Sequence, residues 1–400
     1  MAPGPRLAAT DARPATDARP APDARPAAGA GPAAGAGPAS GASARQLAAS
    51  RFTAQLLSGD PATSAVQVAE RLLAIQGQDP RGARLAIRSR TTGLTAADVD
   101  SALTADRSLL ITWLNRGTLH LIRTEDYWLL HRLTVRPRHE RACRNILAAA
   151  GVTADQADRA VTVITGGLAD EGPLTRAQVR DRLTAVGIDG NAALHLLMLT
   201  CQRGLAVRGP MLGAQHAYVL VRDWLGNPPR QPDRDVALAE LARRYLAGHG
   251  PASDRDLAKW AGLPLGDVRR GLGAIARRLR ERDDGLAELA GPHQLPASHR
   301  ESPQLPGPKL LGSYDPVLLG WETREPVLGP HGQIVTVNGL FRPFVLVDGR
   351  AAGIWAWRDG QAELEAFGAL SEPVTAALAA EASDVRRFLG GTENDHDEPA

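Results

Sequence analysis

The chain has 400 residues, 44% of them apolar, and a formal net charge of only +2; that suffices for two to four domains at roughly 100–200 residues each, with ample material for packed cores. Its two cysteines, Cys143 and Cys201, cannot build a thiolate zinc site and suggest no disulfide framework, and a reducing, cytoplasmic setting fits; no metal or cofactor is expected. No apolar secretory core opens the sequence, and no run of ~18 apolar residues marks a membrane span.

Residues 1–45 are an Ala/Pro/Gly-rich tail with a short repeat, Thr10-Asp11-Ala12-Arg13-Pro14-Ala15 followed by Thr16-Asp17-Ala18-Arg19-Pro20-Ala21. The tail holds almost nothing large enough to bury and is expected to be disordered. In the next stretch, 46–135, an amphipathic helix runs toward Leu73 and exits into Gln76-Gly77-Gln78. A helix start follows at Thr95, with Asp98 three positions on and Val99 next, a capping-box pattern. Apolar runs at 109–114 and 118–122 flank a turn at Arg116-Gly117 and predict a β-hairpin.

The stretch 136–230 repeats this plan, with a capped start at Thr175 and Gln178 and strands at 205–208 and 217–221. In 231–300 a helix over about 236–247 leads to a Ser253-capped helix, a Gly262-Leu263-Pro264 turn and a basic helix from 265 to about 278. Thr95, Thr175 and Ser253 are 80 and 78 residues apart, the spacing of a small domain in tandem. Helix-turn-helix followed by a hairpin is the plan of a winged helix. From 301 to 390 the texture becomes mostly β: strand signals at 334–337, 344–347 and 352–357, an Asp348-Gly349 turn, and a short closing helix at 372–381. An acidic tail occupies 391–400. The expected fold is therefore α+β, three tandem winged-helix domains followed by a mostly β, barrel-like C-terminal domain, with Trp113, Trp128, Trp224 and Trp260 in the cores.

Charge is uneven along the chain. Residues 107–144 hold eight arginines against three acids, and 243–282 hold nine arginines and Lys259 against four. Localised positive charge is the footprint of nucleic-acid binding; a solvated surface in an Arg-rich composition is the plainer alternative. Lysine is confined to Lys259 and Lys309.

Gln76 and Gln78 are the chemical feature of interest. Each carboxamide both donates and accepts hydrogen bonds and stays neutral at any working pH. Two of them converging on one point can hold a water without a matched pKa, which suits a reaction whose leaving group is already activated. The alternative is two solvated glutamines at a helix end, since acid–base catalysts are usually His, Asp, Glu, Lys or Tyr.

Gln76-Gly77-Gln78, the run Trp113-Leu114-Asn115-Arg116-Gly117-Thr118-Leu119-His120, Gly312-Ser313-Tyr314-Asp315-Pro316-Val317-Leu318-Leu319 and Asn338-Gly339-Leu340-Phe341-Arg342-Pro343 together resemble the AlkZ-like family of winged-helix DNA glycosylases, from about residue 46 to 390. The resemblance implies a concave basic DNA channel and puts the catalytic Gln-x-Gln on Gln76 and Gln78. A sister branch has Asp at the second position, so Gln78 places the chain with the branch associated with bulky N7-alkylguanines, including interstrand crosslinks made by bacterial natural products. The middle position is usually a larger apolar residue; Gly77 departs from that and is expected to loosen the pair.

The implied activity is monofunctional hydrolysis of the N-glycosidic bond of such adducts, with self-resistance to a genotoxic natural product as its setting. The implied partner is double-stranded DNA carrying alkylated guanine, bound by a monomer in the nucleoid. Candidate DNA contacts are Arg116, Thr118, His120, Arg123, Arg269 and Arg270. His120 also reads as a structural histidine, and Tyr314-Asp315-Pro316 as a capping turn. The competing reading is a winged-helix transcription regulator without enzymatic activity, which would have no need of the glutamine pair.

Overall fold

The computed structural model describes residues 41–230, 232–290 and 303–390. The expected acidic tail and most of the N-terminal tail lie outside these; Gly41 already begins helix α1 (Gly41–Ala54). The first unit continues with α2 (Ala65–Leu72), β1 (Ile75–Gln76), α3 (Pro80–Arg88), α4 (Ala96–Thr104), β2 (Leu109–Leu114), β3 (Thr118–Arg123) and α5 (Tyr127–Thr134). The second has α6 (Pro137–Ala149), α7 (Ala154–Glu171), β4 (Leu174–Thr175), α8 (Arg176–Ala185), α9 (Ala193–Gln202), β5 (Ala206–Leu212), β6 (Gln215–Leu220) and α10 (Val221–Leu225). The third has α11 (Arg234–His249), α12 (Asp254–Ala261), α13 (Leu265–Ala274), β7 (Leu279–Glu281) and β8 (Ala287–Leu289). The C-terminal part has β9 (Lys309–Leu311), α14 (Glu325–Leu328), β10 (Phe344–Val347), β11 (Arg350–Arg358), β12 (Gln361–Ala366) and α15 (Glu372–Leu389).

The three capping boxes at Thr95, Thr175 and Ser253 all form, each closing reciprocally with the residue three positions on. Their register as a repeat is different from the expected one. In the second and third units the capped helix directly follows a short strand or bridge that pairs with the last strand of the hairpin: Leu174 and Thr175 with β6, and Ala252 with Ala287. In the first unit that place belongs to β1, which pairs with β3, and the helix that follows is α3, capped by Asp79. The counterpart of Thr175 and Ser253 is thus Asp79, and Thr95 caps the next helix along. Gln76 and Gln78 sit at this strand-to-helix junction.

The first two hairpins do not stand apart. They merge into one six-stranded sheet, β1-β3-β2-β5-β6-β4, joined by an Ile111–Arg208 pair. One continuous core under it runs from α2 through α7 and α9 to α15 and includes both buried thiols, Cys143 and Cys201. A second core joins the other face of β2 and β3 to α11, α12 and the C-terminal part. Each fully buried leucine in such a core contributes roughly 1.5–3 kcal/mol. Trp113 and Trp260 are buried, while Trp128 and Trp224 are only partly so.

Among the described residues the C-terminal sheet, β12-β11-β10-β9, is antiparallel and open, without the closure that a barrel needs. The run at 334–337 is not a strand. A single Val335–Phe341 bridge and the Thr336–Leu340 backbone bond close it into a tight loop, leaving Val337 fully exposed. The closing helix α15 extends to Leu389, because Leu378, Val385 and Phe388 keep helical spacing on the core. Among the described residues no helix is long and apolar enough to cross a membrane.

The C-terminal part also grips α3. Arg90, just beyond that helix, makes two hydrogen bonds to Asp315 at 2.8 and 2.9 Å and one to the Gln55 carbonyl at 2.8 Å, all buried. Arg88 pairs with Glu381 on α15. Gly82 packs so closely that an added Cβ would lie 2.4 Å from the Ser313 carbonyl oxygen. Asp315 accepts from the Val317 N–H at 3.0 Å, so the Tyr314-Asp315-Pro316 segment is a capping turn and an anchor for α3.

Candidate active site

The glutamine pair does not ride on a helix exit. Helix α2 ends at Leu72 because Leu73 takes a positive φ of 65°, closing a three-residue turn in which the Ala74 N–H donates to the Leu72 carbonyl at 2.7 Å. Such a positive-φ γ-turn is rare and strained; the complete burial of Leu73 holds it. The chain then enters β1, where Gln76 lies opposite His120. The Gly77 N–H donates to the Leu119 carbonyl at 2.8 Å, so the backbone between the glutamines is pinned to β3. A Cβ at Gly77 would sit 3.5 Å from Ile111 Cγ2, at ordinary contact distance. The looseness expected from Gly77 is therefore absent, and an apolar side chain there would pack on Ile111.

Gln76 is 7% exposed. Its Oε1 accepts from Arg116 Nη2 at 3.4 Å. Arg116 leaves the β2–β3 turn and also donates to the carbonyls of Trp260 at 2.6 Å and Lys259 at 3.3 Å, so one guanidinium ties the first unit to the end of α12. Gln78 is half-buried, and its Oε1 is shielded from solvent with no hydrogen-bond partner. Asp79 then caps α3 through the Arg81 N–H at 3.0 Å.

His120 is 3% exposed, with Nδ1 2.9 Å from the Thr118 carbonyl oxygen. Burial first, and the Arg116 charge second, push its pKa down to about 3, so the ring is neutral and not placed to meet a phosphate. Gln76, His120 and Thr112 form a polar row across β1, β3 and β2. Further shielded atoms without partners gather along it: Thr112 Oγ1, Thr118 Oγ1, and both side-chain polar atoms of Asn115. Buried polar atoms are normally satisfied, and such a concentration marks a place built to take an outside donor or acceptor. Thr112 and Asn115 were not singled out from sequence; only their register with His120 and the β2–β3 turn reveals them.

The remaining candidates are elsewhere. Arg123 is committed to structure: it bonds Asp126 at 2.9 and 3.1 Å and reaches Glu70 at 3.2 Å, and Asp126 is shared with Arg244. Its expected phosphate contact is replaced by this ion-pair network, which holds Asp126 below the usual carboxylate range despite burial that alone would raise it. Arg269 and Arg270 are exposed on α13 and paired with Asp254 and Asp267 at 2.7 and 2.6 Å.

The family model for "DNA glycosylase AlkZ-like" matches residues 69–388, and the match includes the β1–α3 junction, the β2–β3 turn and the Ser313 anchor. The chain belongs to the AlkZ-like DNA glycosylase family. A curated relative from Streptomyces sahachiroi, described as an interstrand DNA cross-link repair glycosylase, is 30% identical over 367 residues, covering 86% of this chain and 96% of the relative. The solved structure of Streptomyces sahachiroi DNA glycosylase AlkZ superposes with a TM-score of 0.67 at 28% identity, covering 86% of this chain and 96% of that one. This AlkZ-like chain is accordingly a DNA glycosylase, and the regulator reading gives way.

Proposed function

We propose that this AlkZ-like glycosylase hydrolyses the N-glycosidic bond of bulky N7-alkylguanine adducts, including guanines joined in an interstrand crosslink, and that Gln76 and Gln78 perform the excision. The observation that carries the reading is the asymmetric presentation of the two carboxamides. Arg116 occupies the Gln76 oxygen, leaving its N–H donors for the site, while the shielded Gln78 oxygen is an unused acceptor. Gln78 accepts a hydrogen bond from the nucleophilic water; Gln76 donates to an oxygen of the water or sugar. As the C1′–N9 bond breaks, its electron pair passes to the purine and cancels the positive charge of the alkylated ring. Water adds to C1′ and releases its proton to solvent, so no raised-pKa carboxylic acid is required. Orientation and fixed dipoles supply the rate.

The inclusion of crosslinked guanines is supported by the relative's description. We read the three helix–hairpin segments as winged helices of a monomer that lies along one duplex, with unit limits near 46–135, 136–230 and 231–300. Gln76→Ala and Gln78→Ala are each expected to abolish excision while leaving affinity for damaged duplex within a few-fold, because neutral side chains contribute little to phosphate binding. Parallel loss of binding and excision would assign the pair a structural role.

A further inference from the structure

A second polar site lies where the β5–β6 hairpin meets α3 and α4. Arg208 on β5 has its Nε sealed from solvent without a hydrogen-bond partner, and no carboxylate lies within ion-pair distance of it among the described residues. Burial lowers its pKa most; Arg176 and Arg84 push the same way, and the groups that oppose them, Tyr218 and Cys201, carry burial-raised pKa values and are neutral at working pH.

His216 lies on the same face. It is two residues before Tyr218, the cross-strand partner of Arg208, and side chains alternate along a strand. Both of its ring nitrogens are shielded from solvent, and its one polar neighbour is the Gly209 backbone on β5. Arg84 arrives from α3 with Nη2 3.6 Å from the sulfur of Met211, which pairs with His216. Arg84 brings its own counter-ion, Asp100 on α4, at 2.9 Å from Nε.

A half-buried cation without a counter-ion of its own is unfavourable, and Arg84 and Arg176 add charge of the same sign beside it. A planar guanidinium fork held without a protein acceptor matches a tetrahedral oxyanion. Ile111 pairs with Arg208 in register and lines the space beside Gly77, so Arg208 shares the sheet face of Gly77, while Gln76 lies with His120 and Thr112 on the opposite face of the same sheet.

We propose that Arg208, flanked by His216, Arg84 and Arg176, is a phosphate-binding site that clamps one backbone phosphate of the DNA and so sets the register of the strand against the Gln76–Gln78 element. This goes beyond the excision chemistry, because the clamp engages undamaged duplex as well.

The test is Arg208→Gln in the full chain, with three readouts. Without ligand, the variant melts at the same or a higher temperature than wild type, since an uncompensated cation has been removed. Inorganic phosphate at matched ionic strength raises the wild-type melting temperature and leaves the variant unmoved. Binding to undamaged duplex weakens about tenfold, and the slope of log affinity against log salt falls by about 1. Should the glutamine variant not fold, Arg208→Lys keeps the charge and loses the fork: its salt slope stays, and its phosphate response shrinks. An equal phosphate response in wild type and variant overturns the site. A phosphate response lost in the variant with unchanged duplex binding overturns its assignment to DNA.

Discussion

The Arg116 guanidinium donates to the carboxamide oxygen of Gln76 at 3.4 Å, and the same side chain is held by the Trp260 carbonyl at 2.6 Å. A residue that sequence position suggested as a phosphate contact is held within the protein, and under the proposed mechanism it is a positioning group that turns the Gln76 N–H donors toward the site. The third unit, through α12, takes part in the geometry of the first.

Arg116→Ala is therefore expected to lower the single-turnover excision rate on the order of 10–100-fold, the cost of a catalytic group misplaced by about 1 Å, with duplex affinity reduced no more than a few-fold. Arg116→Lys restores a charge but not the fork and recovers only part of the rate. A variant that loses affinity and keeps its single-turnover rate at saturation would return Arg116 to the phosphate contacts.

The glycines at 77 and 82 differ in kind. Gly77→Ala meets only ordinary contacts at a φ that any residue adopts, so activity is retained and stability rises by up to about 1 kcal/mol through the unfolded chain. Gly82→Ala drives a Cβ into the Ser313 carbonyl and is expected to cost about 1–3 kcal/mol and to displace α3. Chemical denaturation and an excision assay on the two variants check both; equal behaviour would remove the C-terminal grip on α3 as a feature of the site.

Four buried histidines, His120, His139, His216 and His249, set the acid limb, and burial lowers the pKa of His216 along with the others. The pKa values of His120 and His249 fall to about 3, and that of His139 to about 4, each chiefly through burial. A depressed folded pKa contributes stability above the unfolded value of ~6.5 that is lost as pH falls. Each ring is expected to cost at most ~1.4 kcal/mol per pH unit between ~6.5 and its folded pKa. The melting temperature should drop across that window, less steeply in His249→Gln. The excision rate measured between pH 6 and 8 should show no step from His120, which stays neutral throughout; a step that vanishes in His120→Gln would contradict its placement.

Strand cleavage by a glycosylase needs an amine nucleophile of depressed pKa. Lys309 is paired with Glu381 at 3.3 Å, which also holds Arg88 at the end of α3 opposite to the glutamines, and Lys259 lies on the last turn of α12. Borohydride trapping on an N7-alkylguanine duplex should give no covalent complex. A trapped species lost in Lys259→Ala would replace the water mechanism with a Schiff base.

By itself the sequence determined the local features of this protein. The capping boxes at Thr95, Thr175 and Ser253, the hairpins around Arg116-Gly117 and Asp348-Gly349, and the Gln-x-Gln element depend on neighbours within a few residues, where side-chain chemistry and turn geometry act directly. The tertiary structure alone decided which of these correspond and what each charge meets. Asp79, not Thr95, is the counterpart of Thr175, because equivalence follows strand pairing with β3 and β6 and not chain spacing. Arg123 went to Asp126, Arg116 to Gln76, and Arg208 to no acid at all. The same residue type had three fates: Arg116 meets partners 40 and 144 residues away in the chain, Arg123 takes a neighbour three residues on that Arg244 reaches from 118 residues away, and Arg208 has no acid within ion-pair distance among the described residues, so most of that information resides in packing, not in local pattern.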